Sequence, residues 1–178
     1  MPTYLAFLRA INLGPNRKFP KADIVRAVEA AGMTNVQTHI ASGNVRFDTA
    51  MRSRERIASA LEAAFAADRG FEVPTIVFRA DEFAAIAADA EKLGAENPGV
   101  ARHYVYLLKH EPTAETVARV AATATDAGEM VIRGRAAHAL LQPGYQDGQV
   151  DPLGAAKLLE PATNRNAGVV VAIAAKWC

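Results

Sequence analysis

Residues 1–79 can be read in the order strand, helix, strand, strand, helix, strand, which predicts an α+β chain of ferredoxin-like (split β-α-β) halves with antiparallel sheets. After the Glu96-Asn97-Pro98-Gly99 break the order begins again, with an offset of about a hundred residues and little self-similarity between the residues themselves. Of the 178 residues 38 are alanines, yet larger apolar residues still supply about 30% of the chain, enough for a globular core. The expected organisation is a ferredoxin-like half over 1–79, a connector helix and loop over 80–102, and a second half with a C-terminal helix over 103–178.

Tyr4 to Ile11 is apolar and partly aromatic and closes on Asn12-Leu13-Gly14-Pro15-Asn16, so it reads as a buried strand followed by a loop. Pro20 suits a first helical turn. Ile24, Ala27, Val28 and Ala31 then recur at helical spacing until Gly32 offers a left-handed stop. Val36, Thr38 and Ile40 alternate with polar residues, Ala41-Ser42-Gly43-Asn44 is read as a turn, and Val45 and Phe47 resume the alternation of a β-hairpin. Ile57, Leu61, Ala64 and Phe65 form one face of a helix ended by Gly70, and Val73 to Phe78 is strand-like. A connector helix from Asp81 carries Phe83, Ile86, Ala87 and Ala90 on one face, with Gly94 past its end.

The second half is expected to contain a strand at His103–Lys109, a helix at Thr113–Thr125, strands around Met130–Ile132 and Ala137–Leu141 joined near Gly134, and a helix near Leu153–Leu159. No strand equivalent to Val73–Phe78 is expected there. Pro161 to Asn166 reads as a polar segment before a short terminal helix carrying Val169, Val170, Ile173 and Ala174. The β-branched run Val169-Val170-Val171 keeps a strand open as the alternative.

The formal charge is +1, from 20 Lys and Arg against 19 Asp and Glu, so net charge announces no partner. Cys178 is the one cysteine, which excludes an intramolecular disulfide and a Cys-based metal site and fits a reducing compartment. Met1 to Leu13 lacks the pattern of a secretory leader, and the apolar stretch Ala167–Ala175 is about half the length of a membrane span. A cytoplasmic location without membrane insertion is expected.

No Gly-x-Ser-x-Gly elbow, phosphate-binding Gly-x-x-x-x-Gly-Lys loop, dinucleotide glycine fingerprint or His-Glu-x-x-His is present, so no reaction, cofactor or metal is expected from motifs. His39, His103, His110 and His138 are scattered and read as surface or interface residues. Three polar clusters lie at the ends of expected elements. Arg9 and Asn12 follow the first strand, where a guanidinium beside apolar residues needs a partner or solvent. Ser42 and Asn44 flank Gly43, whose ordinary role is a hairpin turn and whose functional role would be to turn backbone N–H groups toward an anion. Arg165 and Asn166 precede the last helix, where free N–H groups and a fork of guanidinium donors suit phosphate or carboxylate, and where Asn166 or Thr163 would otherwise act as an ordinary cap.

Charge is divided unequally: residues 1–79 hold 11 basic and 7 acidic side chains, and 80–178 hold 9 and 12. The basic share gathers at Arg17, Lys18 and Lys21 and at Arg52, Arg54 and Arg56, which would attract RNA or DNA phosphates if it is not simply a solvated helix face. Tyr4, Phe7, Tyr104 and Tyr106 do not sit in the glycine-aromatic setting of the common RNA-binding sheet.

Phe7-Leu8-Arg9-Ala10-Ile11-Asn12-Leu13-Gly14, the run from Gly32 to Phe47 with its Ser-Gly-Asn, and Ala162-Thr163-Asn164-Arg165-Asn166 together resemble the bacterial domain-of-unknown-function family DUF 1697, over essentially the whole chain. The resemblance implies a duplicated ferredoxin-like fold and no established reaction, cofactor or partner. That family opens on Arg-Gly-Ile-Asn with a following Gly-Gly and closes on Thr-x-Arg-Asn-Trp. Here Ala10 and Pro15 stand for glycines and Ala167 for the tryptophan, which removes close backbone approach at 10 and an indole surface at 167.

The leading functional expectation is binding of a small anionic or phosphate-bearing ligand by Arg9, Asn12, Ser42, Asn44, Arg165 and Asn166 converging on one cleft. The alternatives are nucleic-acid binding through Arg17, Lys18, Lys21, Arg52, Arg54 and Arg56, and a module that homodimerises through an open sheet edge without catalysis.

Overall fold

A computed structural model describes residues 1–144 and 151–178, with the side chains of Ala41 and Ser42 outside that description. The chain forms two compact units, one of residues 1–83 with 176–178 and the other of residues 84–175. Each contains a four-stranded antiparallel sheet.

In the first unit the order is β1 (Thr3–Leu8), α1 (Lys21–Ala30), β2 (Thr34–His39), β3 (Ala41–Asp48), α2 (Arg54–Arg69) and β4 (Thr75–Arg79). The strands lie in the order β2-β3-β1-β4, so the central pair is β3 and β1. Pro20 stands at the entry to α1, its carbonyl accepting the Asp23 and Ile24 N–H groups, and Gly32 follows the helix at φ 93°. Ser53 caps α2 through Oγ, which accepts the Arg56 N–H, and Gly70 ends that helix in the left-handed conformation. One sheet face carries Tyr4, Ala6, Leu8, Val45, Phe47 and Val77 against Ile24 and Val28 of α1 and Ile57, Leu61 and Phe65 of α2. The opposite face carries Phe7 and Phe78, both in ring contact with Phe83 of α3 (Ala80–Glu96), at centroid distances of 5.0 and 6.2 Å. Both faces of β1 are therefore apolar, which explains its unbroken hydrophobic run.

In the second unit β5 (Arg102–Leu108), α4 (Ala114–Ala121), β6 (Gly128–Arg133), β7 (Ala136–Leu141) and β8 (Ala162–Asn166) form a sheet in the order β6-β7-β5-β8, followed by α5 (Ala167–Trp177). The strand orders of the two sheets are the same once the numbering is shifted. The match extends to single bonds: Leu8 pairs with Thr75 and the next N–H, of Arg9, donates to Pro74 O at 2.9 Å, while Leu108 pairs with Ala162 and the next N–H, of Lys109, donates to Pro161 O at 3.2 Å. Duplicated ferredoxin-like halves are the architecture.

Several expected elements are corrected. The fourth strand of the second half is present: Ala162–Asn166 is β8, paired antiparallel with β5, and α5 begins only at Ala167. A full helix near Leu153–Leu159 is replaced by one 3₁₀ turn, Ala156–Leu158, whose Ala156 and Lys157 N–H groups are accepted by the Asp151 carboxylate. Helix α4 stops at Ala121 rather than Thr125, with Val120 its one buried residue and Thr123 Oγ1 donating back to the Val120 carbonyl. The hairpin turns at Ile40, φ 66°, so Ala41 to Asn44 begin β3 instead of forming the turn. Gly94 lies inside α3, and Val169–Val171 are helical. Among the described residues no helix is long and apolar enough to cross a membrane.

Candidate functional site

At one end of the first sheet Phe7 pairs with Asn44, and two residues beyond them lie Arg9 and Ser42. Asn44 is fully buried, and its Nδ2 donates to the His39 carbonyl at 3.1 Å, tying β3 to the end of β2. Beyond Arg9 the chain passes through three left-handed positions, Ala10 (φ 59°), Asn12 (φ 55°) and Gly14 (φ 76°). The Asn12 side chain closes this loop, Oδ1 accepting the Phe19 N–H at 2.9 Å and Nδ2 donating to Phe19 O at 3.4 Å. Arg17 fastens it from outside, donating through Nε to Ala10 O and through Nη2 to Glu72 O, with its guanidinium 4.5 Å from the Phe71 ring centre. Arg9 and Asn44 therefore share one sheet end with the backbone of Ser42, while Asn12 works as a loop clasp.

The second sheet places Arg165, Val105 and His138 in one row, because Val105 pairs with Arg165 on β8 and with His138 on β7. Directly paired residues share a face, so the guanidinium and the imidazole project to the same side. Arg165 Nη1 donates to Thr163 Oγ1 at 3.0 Å and to the Asn164 carbonyl at 2.8 Å, and burial lowers its pKa to about 10. His138 is fully buried, with Nδ1 3.0 Å from His103 Nε2, while its own Nε2 has no hydrogen-bond partner among the described residues. Burial first, then the neighbouring His103 and Arg133, brings the His138 pKa down to about 4, and burial also lowers that of His103. Asn166 is exposed and its Oδ1 accepts the Gly168 N–H at 3.0 Å, so it caps α5.

The same row in the first sheet is Phe78, Leu5 and Arg46. Its polar end is a compact cluster in which Asp48 accepts from Thr3 Oγ1 at 2.6 Å and Asn35 Nδ2 at 2.7 Å and pairs with Arg46 at 3.0 Å. Burial pushes the Asp48 carboxyl up, and the bonds from Thr3, Asn35 and Arg46 outweigh it and hold the group below the usual carboxylate range. At the other end of the row the first half has Phe78 where the second has Arg165. That cluster was missed from sequence, and the reading of His138 as a surface or interface residue is corrected, since it is fully buried against His103. The available signal was a polar residue inside an otherwise apolar strand, as with His138 in Ala136–Leu141.

Of the basic stretch, Arg17 is held as described and Arg54 Nη1 donates to Glu82 Oε2 at 2.6 Å, while Lys18, Lys21, Arg52 and Arg56 are exposed. Among the described residues no group of three or more His, Cys, Asp or Glu is placed to hold a metal ion. A cleft of about 180 Å³ in the second unit is floored by Leu108, Leu158 and Leu159 and rimmed by Glu111 and Glu160, whose charge opposes an anion.

Comparison with protein families matches residues 1–138 to the model of a family described as "Protein of unknown function (DUF1697)". Among solved structures, a conserved bacterial protein, SP0830 from Streptococcus pneumoniae, is similar over 99% of this chain and 98% of its own, with 20% sequence identity and a TM-score of 0.76. Comparison with curated proteins finds no match.

Proposed function

We propose that this chain, which belongs to the DUF1697 family of proteins of unknown function, binds a small anionic or phosphate-bearing ligand. The residues assigned to anion binding are Arg9, Asn12, Ser42 and Asn44 at the end of the sheet in the first unit and, taken by themselves, Arg165 with Asn166 in the second unit. One observation carries the reading: Arg165 occupies, in the second sheet, the position that Phe78 fills in the first. In the first half an apolar side chain satisfies this position in the fold, and withdrawing a guanidinium partly from water there costs more than burying a ring. A cation kept at that cost is suited to an anionic partner, and its planar fork matches phosphate or carboxylate oxygens two at a time. In this reading Asn12 and Asn166 act by holding the loop and the helix start in place.

Thermal unfolding of the wild type, Arg9→Ala and Arg165→Ala with inorganic phosphate, nucleotides, sugar phosphates and short RNA tests the reading, because a ligand that binds the folded chain raises its melting temperature. A rise with a phosphate-bearing small molecule that Arg165→Ala abolishes is expected. No rise with any of them, or a rise that both variants keep, contradicts it. A rise with RNA alone, removed by salt, transfers the function to the exposed basic residues Lys18, Lys21, Arg52 and Arg56.

A further inference from the structure

We propose that two copies of this chain associate through the outer edge of β6, antiparallel and about a two-fold axis at Val131. The backbone settles which groups that edge offers. Gln142 N–H donates to Ala127 O at 2.9 Å, so Ala127 faces β7, and the alternation of an antiparallel ladder turns Glu129, Val131 and Arg133 the same way. Gly128, Met130 and Ile132 then face outward. Gly128 confirms this alternation, since its N–H and C=O are both exchanged with Thr125 at 3.0 Å, on the side away from β7. Among the described residues that leaves Met130 and Ile132 as the open positions of the edge; the Ile132 carbonyl accepts from the guanidinium of its own neighbour Arg133 at 3.1 Å and has a second lone pair for a partner strand.

A second copy pairing about Val131 sets Met130 opposite its Ile132 and Ile132 opposite its Met130. Both residues face outward, so each pair exchanges two N–H···O=C bonds. The same register sets Glu129 opposite Arg133 of the second copy, and Arg133 opposite its Glu129. Both residues are exposed, and among the described residues neither has an ion-pair partner. Opposite charges directly across a strand pair favour the pairing, and like charges there oppose it. The strand is thus complementary to itself in charge and in hydrogen bonding. The edge strand of the first sheet differs: β2 is broken by two register shifts and carries Asn35 at φ 50°, devices that discourage pairing with another chain. A contact of one short strand is small, so the dimer exchanges with monomer.

Sedimentation of the full chain from micromolar to near-millimolar concentration tests the proposal. The wild type should show a dimer fraction that grows with concentration. Glu129→Arg alone and Arg133→Glu alone should each lose it, because each sets like charges opposite one another twice. An equimolar mixture of the two variants should recover the dimer, as should the double substitution, and such recovery shows that the single variants are folded. A wild type that stays monomeric throughout, a dimer that both single variants keep, or a mixture that fails to associate overturns the proposal.

Discussion

Ala10 holds φ 59° and Ile40 holds φ 66°, in a region that costs an L-residue about 1–2 kcal/mol and a β-branched side chain the most. Glycine at 10 relieves that strain, and the extra freedom it gives the unfolded chain offsets part of the gain. Ala10→Gly is therefore expected to stabilise the chain by about 0.5–1 kcal/mol, read as a higher urea midpoint at unchanged slope. The glycine of the family's Arg-Gly-Ile-Asn opening thus has a conformational reason, and the departure at Ala10 was legible in sequence although its φ was not. Asn44 shows the reverse case. Ser-Gly-Asn carries turn chemistry, but pairing of Asn44 with Phe7 draws it into a buried strand, and Ile40, just before β3, takes the turn against its own preference. His138 makes a pH prediction. The unfolded imidazole takes up a proton near pH 6.5, while in the fold it stays neutral down to about pH 4. Its contribution to stability is whole above the first value and is lost as pH falls toward the second, by up to about 3 kcal/mol. Urea unfolding across that window should show this loss in the wild type and a shallower slope in His138→Leu.

At the scale of elements, Gly128 opens β6 at φ 146°, and a Cβ there would overlap the Leu140 carbonyl oxygen across the ladder. Since the obstruction is backbone, it cannot rotate away, and Gly128→Ala is expected to cost about 3 kcal/mol or more, measured by thermal or urea unfolding. Gly134→Ala provides the comparison: a Cβ there meets nothing within 4 Å, so only its φ of 58° is penalised, and the loss is smaller. Strands β1, β4, β5 and β7 were readable because they bury apolar residues in runs or alternation. Strand β8 was not, since Thr163-Asn164-Arg165-Asn166 carries no apolar alternation and is held in the sheet by pairing to β5. The expected helix near Leu153–Leu159 failed for a related reason. Its three leucines at uneven spacing cover the alanine-rich face of β7 from a loop, with Asp151 securing one turn in place of a helix.

Over the whole molecule, the repeated element order was visible in sequence while the correspondence between the halves was not, because only strand register aligns Phe78 with Arg165 and Arg46 with His138. That alignment separates what the fold needs from what one half adds. The added groups are a half-buried guanidinium and a histidine pair of which His138 is fully buried, placed where the other half uses an aromatic ring and a carboxylate cluster. The most direct measurement is a titration of the full chain with inorganic phosphate, followed through the arginine Nε–H resonances. Saturable shifts of Arg165 and Arg9, with exposed Arg119 unmoved, are predicted, because a bound anion acts on the groups it touches and not on solvated charges elsewhere. No shift, or a uniform drift of every arginine with ionic strength, would contradict anion binding.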